Sequence, residues 1–224
     1  MKRKTTVYVA VAIISLVLYL AGIFSGITIQ KSVSDSMESK LALIKNDIES
    51  QQQELLLLNL QGKESCAVLR SLSSITAMKL ESVSDEIRKL EDRRNDEQFS
   101  KMKETYSTLS IQAWIVMTAV NKNCDPKTVP ILYYYSFPCE QCHEQESVLE
   151  YFKSIDKQRI LTYAVDKDVN TSLVQILVKS HNIGTAPSIV YGDIIYNGFV
   201  DKGNLSAVVC NEINLTCANQ TETL

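Results

Sequence analysis

Two cysteines in Phe137-Pro138-Cys139-Glu140-Gln141-Cys142-His143 have the spacing at which thiols exchange disulfides. A thiolate attacks a disulfide sulfur, and a second thiol about one helical turn away can then attack the mixed disulfide and release the partner. That order of events needs a first cysteine with thiolate character. A position at the start of a helix provides it, because unpaired backbone N–H groups and the positive end of the helix dipole both stabilise the anion. Cys139 is therefore expected to attack and Cys142 to resolve. Glu140 acts in the opposite direction, since a nearby negative charge disfavours a thiolate. His143 is read as an exposed first-turn residue in preference to a thiolate stabiliser. The same spacing also suits zinc, with Cys139, Cys142, Cys210 and Cys217 as the competing ligand set. The six residues between Cys210 and Cys217 do not make a zinc knuckle. No metal and no other cofactor is expected.

The elements around the motif could hold it in this way. Val129 to Ser136, VPILYYYS, is a β-rich run leading straight into the dithiol, and a helical pattern follows through Val148, Leu149 and Phe152. Then come a strand over Arg159–Val165, a helix around Leu173 to His181, and a strand from Ser188 to Tyr191 introduced by Gly184-Thr185-Ala186-Pro187. Gly192-Asp193 signals a turn, Ile194 to Phe199 reads as the hairpin partner, and Leu205 to Val209 begins a last helix.

This region, from about Val129 to Val209, resembles the thioredoxin-fold family of thioredoxins, glutaredoxins and protein disulfide isomerases. Cys139, Cys142 and Pro187 carry the resemblance. It implies an α/β domain with a central sheet flanked by helices, a cis Pro187 lying against the dithiol, and Ala186 as backbone partner for an incoming substrate strand. Three features depart from the family. Phe137-Pro138 replaces the usual tryptophan, Glu-Gln separates the cysteines, and the strand Val129–Ser136 has no acidic residue where thioredoxins carry a buried aspartate. The resemblance thus implies dithiol chemistry without a direction of electron flow.

The segment ahead of the motif, residues 31–124, is expected to be a helical stalk. Between Lys31 and Asn123 there is no proline, and Gly62 is the only glycine. Apolar residues recur at three- and four-residue steps, among them Leu69, Leu80, Val83, Ile87 and Leu90, then Phe99, Met102, Tyr106, Leu109, Ala113, Val116 and Val120. The polar cluster 91–96 separates these runs. Cys66 and Cys124 lie almost equidistant from Asn95, so an antiparallel hairpin turning near 95 would bring them together as a Cys66–Cys124 disulfide. Two unrelated thiols on one long helix is the alternative. Residues 33–60 offer a further seam for a homodimer. Cys210 and Cys217 are read as a local disulfide pinning the tail 211–224, with a second exchange pair as the alternative.

Lys2, Arg3 and Lys4 precede an uncharged stretch from Val7 to Ile29. Its length and the positive-inside bias predict a transmembrane helix over 7–29, with residues 1–6 cytoplasmic and the remainder, including a thioredoxin-like domain at 127–210, extracytoplasmic. A cleaved signal peptide is the competing reading. Four Asn-X-Ser/Thr triplets, at Asn170, Asn204, Asn214 and Asn219, agree with export. Six cysteines also exceed what a reducing cytosol usually requires. The net charge of −3 gives nucleic-acid binding no support. Two functions compete: a membrane-tethered thiol–disulfide oxidoreductase for cysteines of exported or membrane proteins, fed by a membrane redox partner if it reduces, and a redox-silent scaffold with structural bridges.

Overall fold

A computed structural model describes residues 13–23, 66–90, 96–124 and 127–213. Residues 13–23 form a helix, α1, within a unit (1–47) that is separate from the rest of the chain (48–224). Here the expected transmembrane helix is corrected. Among the described residues no helix is long and apolar enough to cross a membrane. Residues 7–12 and 24–29 of the expected span lie outside the described residues, as do the seam at 33–60, the turn near 95 and residues 214–224 of the tail.

In the second unit, α2 (Cys66–Lys89) and α3 (Glu97–Asn123) lie against each other. Leu69, Leu72, Thr76 and Val83 of α2 are buried, as are Met102, Leu109, Ala113, Val116 and Val120 of α3, at steps of three, four or seven residues. Thr76 stands on this seam without an unsatisfied hydroxyl, because its Oγ1 donates to the Leu72 carbonyl oxygen at 2.8 Å. At one end of the pair Cys66 and Cys124 are joined by a disulfide, their Cα atoms 5.7 Å apart, and Leu69 and Val120 pack around them.

The sheet has the order β2-β1-β3-β4, built from β1 (Val129–Tyr135), β2 (Ile160–Asp166), β3 (Ser188–Tyr191) and β4 (Ile194–Asn197). β1 and β2 are parallel and joined by α4 (Glu140–Ile155), while β3 runs antiparallel to β1 and to β4. A parallel pair needs such a crossover, and a two-residue turn is enough for β3 and β4. Gly192 supplies that turn with φ +55°, a conformation costly for a residue with a Cβ.

Alternation along β1 sorts its side chains into two cores. Val129, Ile131 and Tyr133 face α4 and α6 (Lys202–Glu212), where Val148, Leu149, Phe152, Leu205 and Val209 close over them. Leu132 and Tyr134 face α3 and α5 (Ser172–Ser180), with Ile111, Val174 and Ile183. α3 therefore has two partners, α2 along one side and the sheet along the other. On the sheet side Trp114 Nε1 donates to the Pro130 carbonyl oxygen at 3.3 Å. At its other end Lys103 pairs with Asp166, which is 2 % exposed, and the Asp166 N–H donates to Ser107 Oγ at 3.4 Å. A buried carboxylate with such partners is costly to strip of them, so this contact holds α3 at the end of β2.

Candidate active site at the dithiol

Cys139 is the N-cap of α4, directly beyond the C-terminal end of β1. Its backbone is extended (φ −154°, ψ 106°), and its Sγ accepts the N–H of Cys142 at 3.1 Å. In this cap position a sulfur anion would occupy the place where a side-chain oxygen normally satisfies one of the free N–H groups of the first turn. Cys139 and Cys142 form a disulfide, with Cα atoms 5.3 Å apart. The two sulfurs are not equivalent to an incoming reagent. Cys142 is 3 % exposed and belongs to the α4–α6 core, whereas Cys139 is only half-buried. Phe137 and Pro138, ahead of the pair, are exposed, and the peptide between them is cis.

Two buried side chains, Tyr133 and Gln145, fix the first turns of α4. The Tyr133 hydroxyl donates to the Cys142 carbonyl oxygen at 3.0 Å. Burial, with the Glu146 carboxylate second, pushes the Tyr133 phenol far above its usual range, so it stays protonated as a donor. Tyr135 is displaced the same way by burial first and by Asp166, Tyr106 and Glu146 after it. Gln145 is wholly buried and makes a two-way bond to one residue: its Nε2 donates to the Val200 carbonyl oxygen at 3.1 Å, and its Oε1 accepts the Val200 N–H at 2.7 Å. Replacing Gln145 with leucine leaves both Val200 groups unpaired in the core. The expected loss is about 2–4 kcal/mol of stability, measured by urea denaturation of the oxidised chain. A change within experimental error would mean that Val200 finds other partners.

Pro187 stands at the same end of the sheet. Ser188 is paired with Tyr134, which puts Pro187 alongside Tyr135, and the Ala186–Pro187 peptide is cis. The loop is braced from β4: Gly198 N–H donates to the Pro187 carbonyl oxygen at 2.9 Å, and Asn197 Oδ1 accepts from Gly184 N–H and from Ser188 Oγ, each at 3.3 Å. Ala186 is partly buried against the same core as Cys139. The remaining residues singled out from sequence lie elsewhere. Cys66 and Cys124 are bonded to each other at the far end of the helix pair, Cys210, a residue of α6, is disulfide-bonded, and Cys217 lies outside the described residues. Of the four cysteines weighed as zinc ligands, Cys139 and Cys142 are bonded to one another and Cys210 is in a disulfide. His143 is exposed, its Nδ1 3.7 Å from Glu146 Oε2.

A cleft of about 430 Å³ opens beside the dithiol. Cys139, Cys142 and Glu146 line it from α4, Tyr135 and Ala164 from the sheet, and Ile87, Phe99 and Tyr106 from the helix pair. No periodicity argument points to the last three, because all of them stand on the seam read as helix-to-helix contact. Gln145 was legible only as the polar member of the stripe Cys142, Val148, Leu149 and Phe152.

A sheet ordered β2-β1-β3-β4, helices on both faces, a Cys-X-X-Cys at the start of the helix after β1 and a cis-proline ahead of β3 define a thioredoxin-like fold carrying a redox-type cysteine pair. Solved structures similar to this chain include thioredoxin-2, described as a component of malaria parasite protein secretion machinery (23 % identity, 39 % of this chain and 87 % of that one, TM-score 0.33). Chloroplastic thioredoxin z is similar at 18 % identity over 46 % of this chain and 88 % of that one, with TM-score 0.37. An uncharacterised thioredoxin-like protein from Clostridium perfringens is similar at 14 % identity over 46 % and 84 %, with TM-score 0.34. No protein-family model matches the chain, and no curated protein matches it.

Proposed function

We propose that this protein is a thiol–disulfide oxidoreductase acting on cysteines of other proteins. The observation that carries the reading is the asymmetry of the pair. A half-exposed Cys139 caps α4 and accepts the Cys142 N–H, while Cys142 is buried behind it.

In the oxidised state a substrate thiolate attacks Cys139 Sγ. The Cys139–Cys142 bond breaks, its electron pair leaves on Cys142, and a mixed disulfide to Cys139 forms. A second substrate thiolate attacks the substrate sulfur of that mixed disulfide and expels Cys139 as thiolate. The substrate ends as a disulfide and the protein as a dithiol, two electrons and two protons having passed between them. A low-molecular-weight or protein disulfide must restore the bridge, and the same steps reversed would reduce a substrate. The additional disulfides at Cys66–Cys124 and Cys210 support work in an oxidising compartment, where exported proteins acquire theirs.

Titration of the full chain in glutathione redox buffers, with thiol trapping and mass mapping of Cys139 and Cys142, tests the reading. The expected result is a reversible couple between about −120 and −270 mV. A bridge still closed below about −300 mV would instead describe a structural disulfide in a scaffold.

A further inference from the structure

The cleft beside the dithiol has one wall that a sheet and α4 alone do not supply. Tyr133 and Tyr135 on β1 and Ala164 on β2 belong to the sheet face that α4 covers, with Ala164 paired to Tyr133. At Ala164 the side chain is a single methyl group, so the floor is low there while Tyr135 rises beside it. The end of the helix pair remote from the Cys66–Cys124 bridge, with Ile87, Phe99 and Tyr106, closes the opposite side. Cys139 and Cys142 border the same space.

Charge does not decide what enters. The two cations of the lining already have acidic partners, Arg88 with Asp85 and Lys103 with Asp166. What remains on offer is mainly aromatic and aliphatic surface, with Glu146 and His143 at the rim, as suits a pocket for an apolar group oriented by a few polar ones. Because Cys139 borders this cleft, a side chain carried close to a substrate's reacting cysteine is placed to enter it.

We propose that the cleft is a specificity pocket for a large apolar side chain, aromatic by preference, lying within two residues of the substrate's reacting cysteine. The helix pair is then the substrate-selecting element of the protein. This rests on the oxidoreductase reading above. In the exchange that loads the pocket, the Cys139 thiolate attacks the cysteine sulfur of a peptide disulfide. The bond to the departing thiol breaks, and that thiol leaves as thiolate with the electron pair. A neighbouring apolar side chain gains by leaving water as the bond forms, so it accelerates capture.

The test uses the full chain as Cys142→Ser, which leaves Cys139 to form stable mixed disulfides. Short peptides of the form Gly-Gly-Cys-Gly-Gly, with Phe, Leu, Asp or no side chain at each flanking position, are presented as disulfides of thionitrobenzoate, whose release is coloured. Glutathione disulfide serves as the probe of exchange without a flanking apolar group. The expected result is that a Phe peptide reacts about 10-fold or more faster than the all-glycine peptide, with Asp no faster than glycine. Filling the floor with Ala164→Leu is expected to bring the Phe-to-glycine ratio, measured within that variant, towards one. Ile87→Ser, a milder change on the opposite wall, should lower the same ratio. Equal rates for Phe and glycine peptides, with glutathione disulfide still reacting, would overturn the pocket and leave the oxidoreductase reading standing. A preference undiminished in both variants would overturn this location for it. No exchange with any peptide or with glutathione disulfide would remove the oxidoreductase reading and the pocket together.

Discussion

Replacement of Cys139 by serine is expected to lower thiol–disulfide exchange by about 10³-fold or more, the scale seen when a covalent nucleophile is lost. The physical ground is the position of the sulfur. It caps α4, holds the Cys142 N–H at 3.1 Å, and is the more exposed member of the pair. A serine hydroxyl can keep the cap but cannot form the mixed disulfide. Cys142→Ser is expected to behave differently. Its Cys139 still attacks, but the buried resolving sulfur is missing, so mixed disulfides accumulate on Cys139 and turnover stops after one event. Incubation with a reducible protein substrate, followed by non-reducing electrophoresis and mass mapping, separates the two variants. Stable adducts on Cys142 in the Cys139→Ser chain, with none on Cys139 in the reciprocal variant, would reverse the roles assigned to the pair.

The second large effect concerns stability. Removing the Cys66–Cys124 bridge by Cys66→Ala and Cys124→Ala frees a loop of 58 residues in the unfolded chain. Chain entropy alone sets the cost at about 4 kcal/mol, which for a domain of this size lowers Tm by about 8–16 °C. The loss should fall on α2 first, since its main partner is α3 and the bridge ties the two at one end. Thermal unfolding followed by circular dichroism, together with amide exchange along 66–89, measures both. If the selecting wall of the cleft is the other end of this pair, the double variant also loses peptide preference at temperatures where the sheet remains folded. A Tm shift below about 2 °C would mean that helix packing alone holds α2 in place.

These two effects show what kind of information lies in the residue order. Strand, dithiol, helix and x-Pro-strand signals follow one another locally. Each depends on a few consecutive residues: the β-rich run 129–135, the cap at Cys139, the proline at 187 and the glycine at 192. Their positions in the structure therefore lie within a few residues of the positions their chemistry suggests. The helices 66–89 and 97–123 are legible for the same reason, from a three-four repeat of apolar residues without proline. At the N-terminus an uncharged apolar stretch has the length of a membrane span, but among the described residues no helix is long and apolar enough to cross a membrane.

What only the tertiary structure decided is which neighbour each face meets. The repeat on α3 describes a stripe, yet Ile111 and Trp114 lie outside the α2 seam and press onto the sheet, so the helix is shared between α2 and the α/β layers. Ile87, Phe99 and Tyr106 satisfy the helical repeat and still line a cleft at the dithiol. A sequence pattern reports that a side chain is apolar at a given angle around its helix, and this is the same whether the angle ends in a core or in an open pocket. Gln145 and Tyr133 make the point for polar groups. Their residue types are unremarkable in a helix and a strand, and only the approach of Val200 and of the α4 backbone turns them into the supports of the cysteine pair. Local chemistry thus specified the cysteine pair, while packing over long sequence separations decided what surrounds it.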